Sequence, residues 1–386
     1  MRRRLSALLV NYIIISAYFT SLQLIMSVLA RYSRDLGISI AETGVIWSLV
    51  YLVSFALRPV AGYLADRTSS YFAMALGCSF LAAASVLYSA SSTARDLIIG
   101  RVLQGISLAY FISPSIAVVT TVAPSRVGEA LGMRSMLISL AGIAAPPIAG
   151  YLVDYVGYVP VYLLAAAAAA MSASLSIAAA KAGRGSNAVS RRDVGGWREA
   201  ANKYVLAMMA AVFANGVIFL SISGLLQAHY RDIGYEASAY GYFMMLSGVS
   251  SMVSRYLAGR SSEKINPAAI ALAGYVVTAA SVLMLENSYL VPYSYIVAVI
   301  YGVGIGMTIP TQQVIVAKAV SESVRNRAMS IYAMGFDLGG FVGPIILSSI
   351  ASQAGYPITY RYLVLPASVA AVIMALVARG IKAPRE

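Results

Sequence analysis

Asp337 is the one acid in the middle of a long apolar run, and Arg58, Arg101 and Arg255 stand inside others. A charge held in lipid costs roughly 2.5–3.5 kcal/mol on insertion scales, so such residues are kept for function or are paired. Asp337 lies ten residues past Arg327, about 15 Å deep at 1.5 Å per residue, and Arg58 lies eight residues before Asp66, about 12 Å deep. Arg58 and Asp337 thus lie at similar depth and carry opposite charge. Arg255 has no comparable acid to meet. It can receive an anionic group, or its long side chain can snorkel to the membrane surface.

Uncharged polar residues recur at helical spacing in the same runs. The first offers Ser16, Thr20, Gln23 and Ser27, and the second Trp47, Tyr51, Ser54 and Arg58. The fourth offers Arg101, Gln104, Phe111 and Ser115, the tenth Tyr301, Thr308 and Gln312, and the seventh, less regularly, Asn215 and Gln227. Each set falls on one face of a helix, as the wall of a watery cavity must. Hydroxyl, amide and aromatic groups bind a neutral or amphipathic small organic solute by stacking and hydrogen bonding. Many of the 27 tyrosines belong instead to the belts at the membrane surfaces.

Nothing competes as a catalytic constellation. His229, the sole histidine, stands at the outer end of an apolar run with no second metal ligand and reads as an interfacial residue, and there is no nucleophile elbow, phosphate loop or carboxylate pair. Cys78, the one cysteine, lies inside an apolar run and reads as a packed core thiol, with no disulfide and no cysteine metal site. No enzyme activity, metal or cofactor is expected. The net charge of +13 sits in loops beside the apolar runs, with no aromatic-interleaved soluble domain behind it, so a nucleic-acid partner is not expected either.

The elements that must position these residues follow from composition. With 60% hydrophobic and 11% charged residues, the chain is far more apolar than a soluble domain, whose charged share is roughly 25%. The first apolar run, 5–30, follows three arginines but is too long for the core of a secretory signal, about 7–15 residues, and reads as a retained membrane helix. Eleven more runs follow at about 42–64, 71–90, 95–120, 129–152, 158–182, 203–230, 238–260, 267–287, 291–318, 327–351 and 358–380. The prediction is an all-α integral membrane protein with twelve transmembrane helices. The polar, basic stretch KAGRGSNAVSRRDVGGWREAANK divides them into two six-helix bundles, 1–182 and 203–386, joined by a linker over 183–202.

Lysine and arginine set the orientation, because short loops rich in them stay in the cytoplasm. With the N-terminus inside, only Arg31, Arg34, Arg95, Arg101, Arg231 and Arg361 remain for the opposite half. Both termini are then cytoplasmic and the protein is multi-pass in the plasma membrane, with lipid as its surroundings and the monomer as its expected working unit.

The phrase Arg-Asp-(Leu/Ile)-Gly occurs at Arg34 and again at Arg231, an offset of 197. The same shift relates Gly44 to Gly241, Arg58 to Arg255, Gly62 to Gly259, Asp66 to Glu263, Arg67 to Lys264, Gly105 to Gly302 and Pro147 to Pro344. A parallel duplication of six spans makes two pseudo-symmetric bundles related by an axis along the membrane normal, with a cavity between them at the midplane.

At this point the chain resembles the major facilitator superfamily over its whole length. Gly62-Tyr-Leu-Ala-Asp66-Arg67 resembles that family's signature loop, with Arg58-Pro59 ahead of it as in the drug and sugar efflux branches. Arg101-Val-Leu-Gln104-Gly105 resembles its fourth-helix motif, and Gly142-Ile-Ala-Ala-Pro146-Pro147-Ile-Ala-Gly150 the fifth-helix motif of exporters. Departures are Pro146 in place of the usual Gly, Tyr151 in place of the last Gly, and Thr68-Ser-Ser-Tyr71 without the usual basic cluster. The resemblance implies the major facilitator fold, with the second and eleventh helices as neighbours so that Arg58 and Asp337, at similar depth, are expected to form a gating ion pair, and efflux of a small organic solute in exchange for protons by alternating access. Proton-independent facilitation, symport of a sugar or metabolite, and a non-transporting receptor stay open; the short termini and linker argue against the receptor.

Within that reading Asp66 and Arg67, with Glu263 and Lys264, form a latch at cytoplasmic helix ends. The glycines and prolines Gly142, Pro146, Pro147 and Gly150, with Gly339, Gly340, Gly343 and Pro344, serve as rocking points or as close-packing sites. The resemblance ties Arg101 to proton coupling, although the first span brings no buried acid to share that work.

Overall fold

The structure, a computed structural model, describes residues 2–67, 69–122, 127–182, 197–262, 264–321 and 324–380. Among them there are only helices, turns and bends. In chain order these helices are α1 (Arg2–Asp35), α2 (Ile40–Arg67), α3 (Ser70–Ser89), α4 (Ala94–Val122), α5 (Val127–Val156), α6 (Tyr158–Lys181) and the short α7 (Trp197–Ala200). They continue as α8 (Lys203–Asp232), α9 (Ala237–Ser261), α10 (Pro267–Asn287), α11 (Tyr293–Lys318), α12 (Arg325–Ala354), α13 (Tyr356–Tyr362) and α14 (Val364–Gly380).

Eleven spans among the described residues are long and apolar enough to cross a bilayer, α13 and α14 together forming the last. The twelfth, α9, has 25 residues but a lower hydropathy, because a stripe of serines runs along it. That stripe packs against glycines of α11: a methyl on Gly302 would sit 2.1 Å from Ser250 Oγ, and one on Gly306 2.0 Å from Ser254 Oγ. Small polar residues at such a seam let two backbones approach in lipid. The last span, expected as one run, breaks at Leu363. Pro366 lacks an N–H and its ring clashes with the carbonyl four residues back, at Tyr362, so the helix tightens there, with Leu363 N–H donating to Tyr360 O at 3.1 Å.

The described chain resolves into two compact units. One comprises Met1–Ile38, Leu49–Ser190 and Tyr230–Gly241; the other comprises Ser39–Ser48, Arg191–His229 and Tyr242–Glu386. In the first, α3 lies against α4 and α6, and α1 against α4, α5 and α6. In the second, α10 lies against α11, α13 and α14, and α12 against α7, α11 and α13.

The 197-residue shift is visible as matching local structure. Gly37 has φ +78° and Gly234 φ +80°, a left-handed conformation open to glycine. Around Gly37, Ile38 N–H donates to Ser33 O at 3.1 Å and Gly37 N–H to Arg34 O at 3.0 Å; around Gly234, Tyr235 N–H donates to Tyr230 O at 2.8 Å and Gly234 N–H to Arg231 O at 3.0 Å. Both are Schellman caps, so each copy of the repeated phrase ends a helix with an arginine in its last turn. Gly105 packs against Val50 O and Val53 in one copy, as Gly302 packs against Ser247 O and Ser250 in the other. Gly44 packs against Pro344 O and Ser348 in the second unit, and Gly241 against Pro146 and Pro147 in the first. Val50 and Ser247, Val53 and Ser250, and Pro147 and Pro344 are themselves related by the same shift.

Candidate functional site

Along α1 most positions are buried, and the half-buried ones recur every three or four residues: Tyr12, Ser16, Thr20, Gln23 and Met26. The expected stripe of Ser16, Thr20 and Gln23 is thus the face that protein does not cover. Gln23 lies beside Gly142 of α5, where a methyl would meet its Nε2 at 3.2 Å. Ser27 donates to Gln23 O at 2.6 Å.

The α4 stripe is different. Arg101, Gln104, Phe111 and Ser115 are all fully buried. Arg101 Nη1 donates to Gln104 Oε1 at 2.9 Å and lies 3.1 Å from Met26 Sδ, and Tyr88 OH donates to the same Gln104 oxygen at 3.1 Å. Phe111 stacks on Tyr18 with ring centroids 3.5 Å apart, and Tyr18 OH shares a 2.9 Å hydrogen bond with Ser107. These residues knit α1, α3 and α4 together.

One residue of this region was missed by sequence reasoning. Arg134, which the loop-charge pattern assigns to the cytoplasmic rim, is only 8% exposed on α5. Its Nε and Nη2 reach Ser115 Oγ at 3.3 and 2.9 Å, and its guanidinium lies 5.8 Å from the centre of the Phe19 ring. The signal was available, since Arg134 lies in an apolar stretch that carries no other basic residue after Val127.

In the second unit the polar groups of α11 are spent inside the bundle. Tyr332 OH donates to Gln312 Oε1 at 3.0 Å, Gln312 Nε2 donates to Tyr275 OH at 2.5 Å, and Tyr275 OH donates to Ala211 O at 2.6 Å. This chain fastens α12, α11, α10 and α8. Thr308 donates to Ile305 O at 3.0 Å and reaches Asn215 Oδ1 at 3.4 Å, while Gln227 donates to Ser223 O at 2.8 Å, within its own helix. Tyr301 is buried as well. Trp47, Tyr51 and Ser54 are buried, and Trp47 lines a narrow crevice of about 10 Å³ with Ser221, Gly224, Pro344 and Ser348.

Arg58 is half-buried, in the first unit; Asp337 is 6% exposed, in the second. Arg255 is half-buried and reaches Ser251 Oγ at 3.5 Å. Of the expected latch, Lys264 is exposed, Glu263 lies outside the described residues, and so do the side chains of Asp66 and Arg67. The linker is described only from Trp197 onward. His229 corrects the interfacial reading: it is 3% exposed, its Nδ1 shares a 3.0 Å hydrogen bond with Tyr360 OH, and it stacks on Tyr356 at 4.5 Å with Tyr289 at 4.6 Å. Burial of a histidine in aromatic packing is a structural role. Cys78 is buried, with its Sγ 3.1 Å from Ser172 Oγ.

The glycines and prolines sit at close crossings. A methyl on Gly339 would lie 2.2 Å from Phe213 O, one on Gly343 2.8 Å from Val217 Cα, and one on Gly150 2.6 Å from Ser238 Cα. Gly335, Gly339 and Gly343, spaced by four, make one continuous seam on α12 against α8.

The repeated phrase assembles a site of its own within the first unit. Arg34 Nε lies 3.1 Å from both carboxylate oxygens of Asp232, and its Nη2 3.1 Å from Oδ2. Arg231 Nε lies 2.7 Å from Asp35 Oδ1, and its Nη1 3.3 Å from Asp232 Oδ1. The arginine of each copy holds the aspartate of the other. Tyr158 OH also donates to Asp35, and Arg31 Nη1 donates to Tyr235 O at 2.6 Å. Asp154 of α5 accepts the Ala237 and Ser238 N–H groups at 2.6 and 2.9 Å, capping the start of α9. Among the described residues no group of His, Cys, Asp and Glu could hold a metal ion.

A family model described as Major Facilitator Superfamily matches residues 11–344 and 292–386. The multidrug resistance protein MdtG of Enterobacter lignolyticus (strain SCF1) is 22% identical over 355 residues, covering 86% of this chain and 82% of that protein. MdtG of Escherichia fergusonii is 22% identical over 349 residues, with 86% and 85% covered. A solved structure of a bacterial homologue of the human lysosomal transporter Spinster, inward-facing and occupied, aligns with TM-score 0.82 at 15% identity over 98% of this chain and 97% of that one.

Proposed function

The chain belongs to the major facilitator superfamily and is a multi-pass membrane transporter, and on that premise we propose that it exports a small organic solute in exchange for protons. The observation that carries the alternating-access part is the crosswise pairing of Arg34 with Asp232 and of Arg231 with Asp35. A pair made between the two copies of a duplicated helix end is present only while those ends are together. It can therefore bias a two-state equilibrium. Lysine and arginine distribution supports an outer position for this clasp and cytoplasmic termini; the reading takes the plasma membrane as its location and one chain as the working unit.

On the cytoplasmic side the reading assigns the opposing latch to Asp66 and Arg67 with Glu263 and Lys264, and an ion pair to Arg58 and Asp337, on their similar sequence depth. Asp35 and Asp232 already serve arginines in the clasp, so Asp337, buried and far from both helix ends, is the carboxylate assigned to carry the coupling proton. The half-covered α1 stripe of Ser16, Thr20 and Gln23 offers the solute hydrogen-bonding groups. Gly150, Gly339 and Gly343 keep their crossings close enough for whole helices to rock without losing contact.

Uptake into proteoliposomes tests this reading. A panel of aromatic dyes is presented with and without an imposed pH gradient. Gradient-driven accumulation that Asp337→Asn abolishes is the expected result; flux indifferent to the gradient removes proton exchange from the account.

A further inference from the structure

We propose that Arg134 forms an anion subsite, so that the cargo of this transporter is an organic molecule bearing a carboxylate, sulfonate or phosphate beside an aromatic or apolar body. The inference rests on the transport reading and adds the charge of the substrate to it. Arg134 is 8% exposed, yet among the described residues the one polar side chain it meets is neutral. Ser115 is fully buried and donates its own hydroxyl proton to Ile112 O at 2.7 Å, so its oxygen is committed to accepting from Arg134. A guanidinium has five N–H donors, and Ser115 takes two of them. The other three have no partner among the described residues, and no described carboxylate lies within ion-pair distance.

A guanidinium removed from water without an anion is costly, and a ring face recovers only part of that cost. The open Nη edge is a planar fork that fits a carboxylate or phosphate with two parallel hydrogen bonds. Snorkelling does not account for its position, because the side chain turns inward to Ser115 of α4 and lies over Phe19 of α1.

The surroundings suit the rest of such a molecule. Phe19 stands edge-on to Phe111 at 6.1 Å, giving an apolar floor beside the charge. One turn further along α1, Gln23 is half-buried and brings an amide. The membrane-embedded charges away from the helix ends are Arg58, Arg101, Arg134 and Arg255 against Asp337 among the described residues, a balance that disfavours a cationic guest.

Purified protein in liposomes tests this with two aromatic dyes, fluorescein as the anion and ethidium as the cation, for wild type, Arg134→Lys and Arg134→Gln. Thermal melts establish that each variant is folded. Saturable fluorescein uptake is expected, with KM raised roughly tenfold or more by R134Q and less by R134K, which keeps the charge but loses the fork. Ethidium transport should be weaker in wild type and unchanged or faster in R134Q. Uptake of ethidium alone, or fluorescein uptake that R134Q leaves unaltered, overturns the subsite while the transport reading stands. Fluorescein binding to detergent-solubilised wild type that R134Q abolishes, without flux of either dye, keeps the subsite and overturns the transport reading.

Discussion

Reversing one charge of the clasp and then restoring the pair with a second reversal isolates what the repeated phrase contributes. Asp232→Arg removes the carboxylate of Arg34 and the longer of the two carboxylate contacts of Arg231, which keeps Asp35, and places three arginines together. The side chains of Arg34 and Asp232 are each 18% exposed, whereas Arg231 and Asp35 are 33% and 35% exposed. Exposed pairs are worth about 0.2–1 kcal/mol, so the Arg34–Asp232 pair is taken near 1 kcal/mol and the longer Arg231–Asp232 contact, at 3.3 Å, near 0.5 kcal/mol. Their sum of about 1.5 kcal/mol corresponds to a roughly tenfold shift in the equilibrium between closed and open outer ends, before repulsion among the arginines is added. Spin labels at single cysteines near the outer ends of α1 and α8, read by pulsed electron resonance in nanodiscs, report the two populations. D232R should move the distance distribution toward the open state, and R34D in the same chain should restore much of the closed population. Raising salt from 0.1 to 1 M should shrink the difference between wild type and D232R. An unchanged distribution in D232R, or a double variant no closer to wild type than D232R alone, refutes the clasp.

Four further outcomes follow from the geometry. Exchanging the proposed inner pair, Arg58→Asp with Asp337→Arg, should recover part of the dye flux that either single change abolishes; two dead singles and a dead double place the residues apart. Gly339→Ala puts a methyl 2.2 Å from Phe213 O and should destabilise the protein by about 1–3 kcal/mol, read as a lower melting temperature in detergent. Tyr332→Phe removes the first donor of the Gln312–Tyr275 chain and should cost about 1 kcal/mol with little change in KM, since that chain fastens helices. Outside the membrane, the Ser321 hydroxyl and then its N–H hold the Glu199 carboxyl below the ordinary glutamate range, the N–H at 3.2 Å. A depressed folded-state value stabilises above the unfolded value and is lost as pH falls through the folded one. The protection of the Ser321 N–H, its exchange rate taken relative to the intrinsic rate at each pH, should therefore fall on acidification in wild type and lose that dependence in Glu199→Gln.

The spans were legible because apolar runs of about 20 residues have few other uses, and the duplication because glycines, prolines and Arg-Asp pairs recur at one shift. The caps at Gly37 and Gly234 show why the phrase was repeated: each copy must end a helix and present an arginine and an aspartate there. What stayed hidden was tertiary. His229 reads as interfacial until Tyr289, Tyr356 and Tyr360, at least 60 residues away in the chain, close around it. Gln312 and Thr308 read as cavity groups, because periodicity gives a face but not what that face meets; the structure gives them Tyr275, Tyr332 and Asn215. Arg134 was hidden by the rule that counts arginines near span ends as loop charge. Only its 2.9 Å bond to Ser115 shows that it turns inward.

Scaffold and chemistry follow different rules in the two copies. Gly44 with Gly241, Gly105 with Gly302 and Pro147 with Pro344 keep residue type and packing under the shift, and so do the clasp residues. Of the membrane-embedded charges Arg58 keeps its mate Arg255, but other distinctive residues do not repeat: the positions equivalent to Arg134, Asp337, Arg101 and Trp47 are Ile331, Leu140, Ala298 and Met244. A rocking motion loads both copies alike, so a crossing that loosens in one must loosen in the other, and either substitution alone would unbalance the two states. A solute has no such symmetry, and a second buried arginine without its anion would add desolvation cost and no recognition. Introducing Ile331→Arg should therefore lower the melting temperature without improving anion uptake, whereas a change at Gly44 or Gly241 should impair transport to a similar degree from either copy. Gain of anion affinity from I331R would mean that the copies bind independently, and the asymmetric reading of the site would fall.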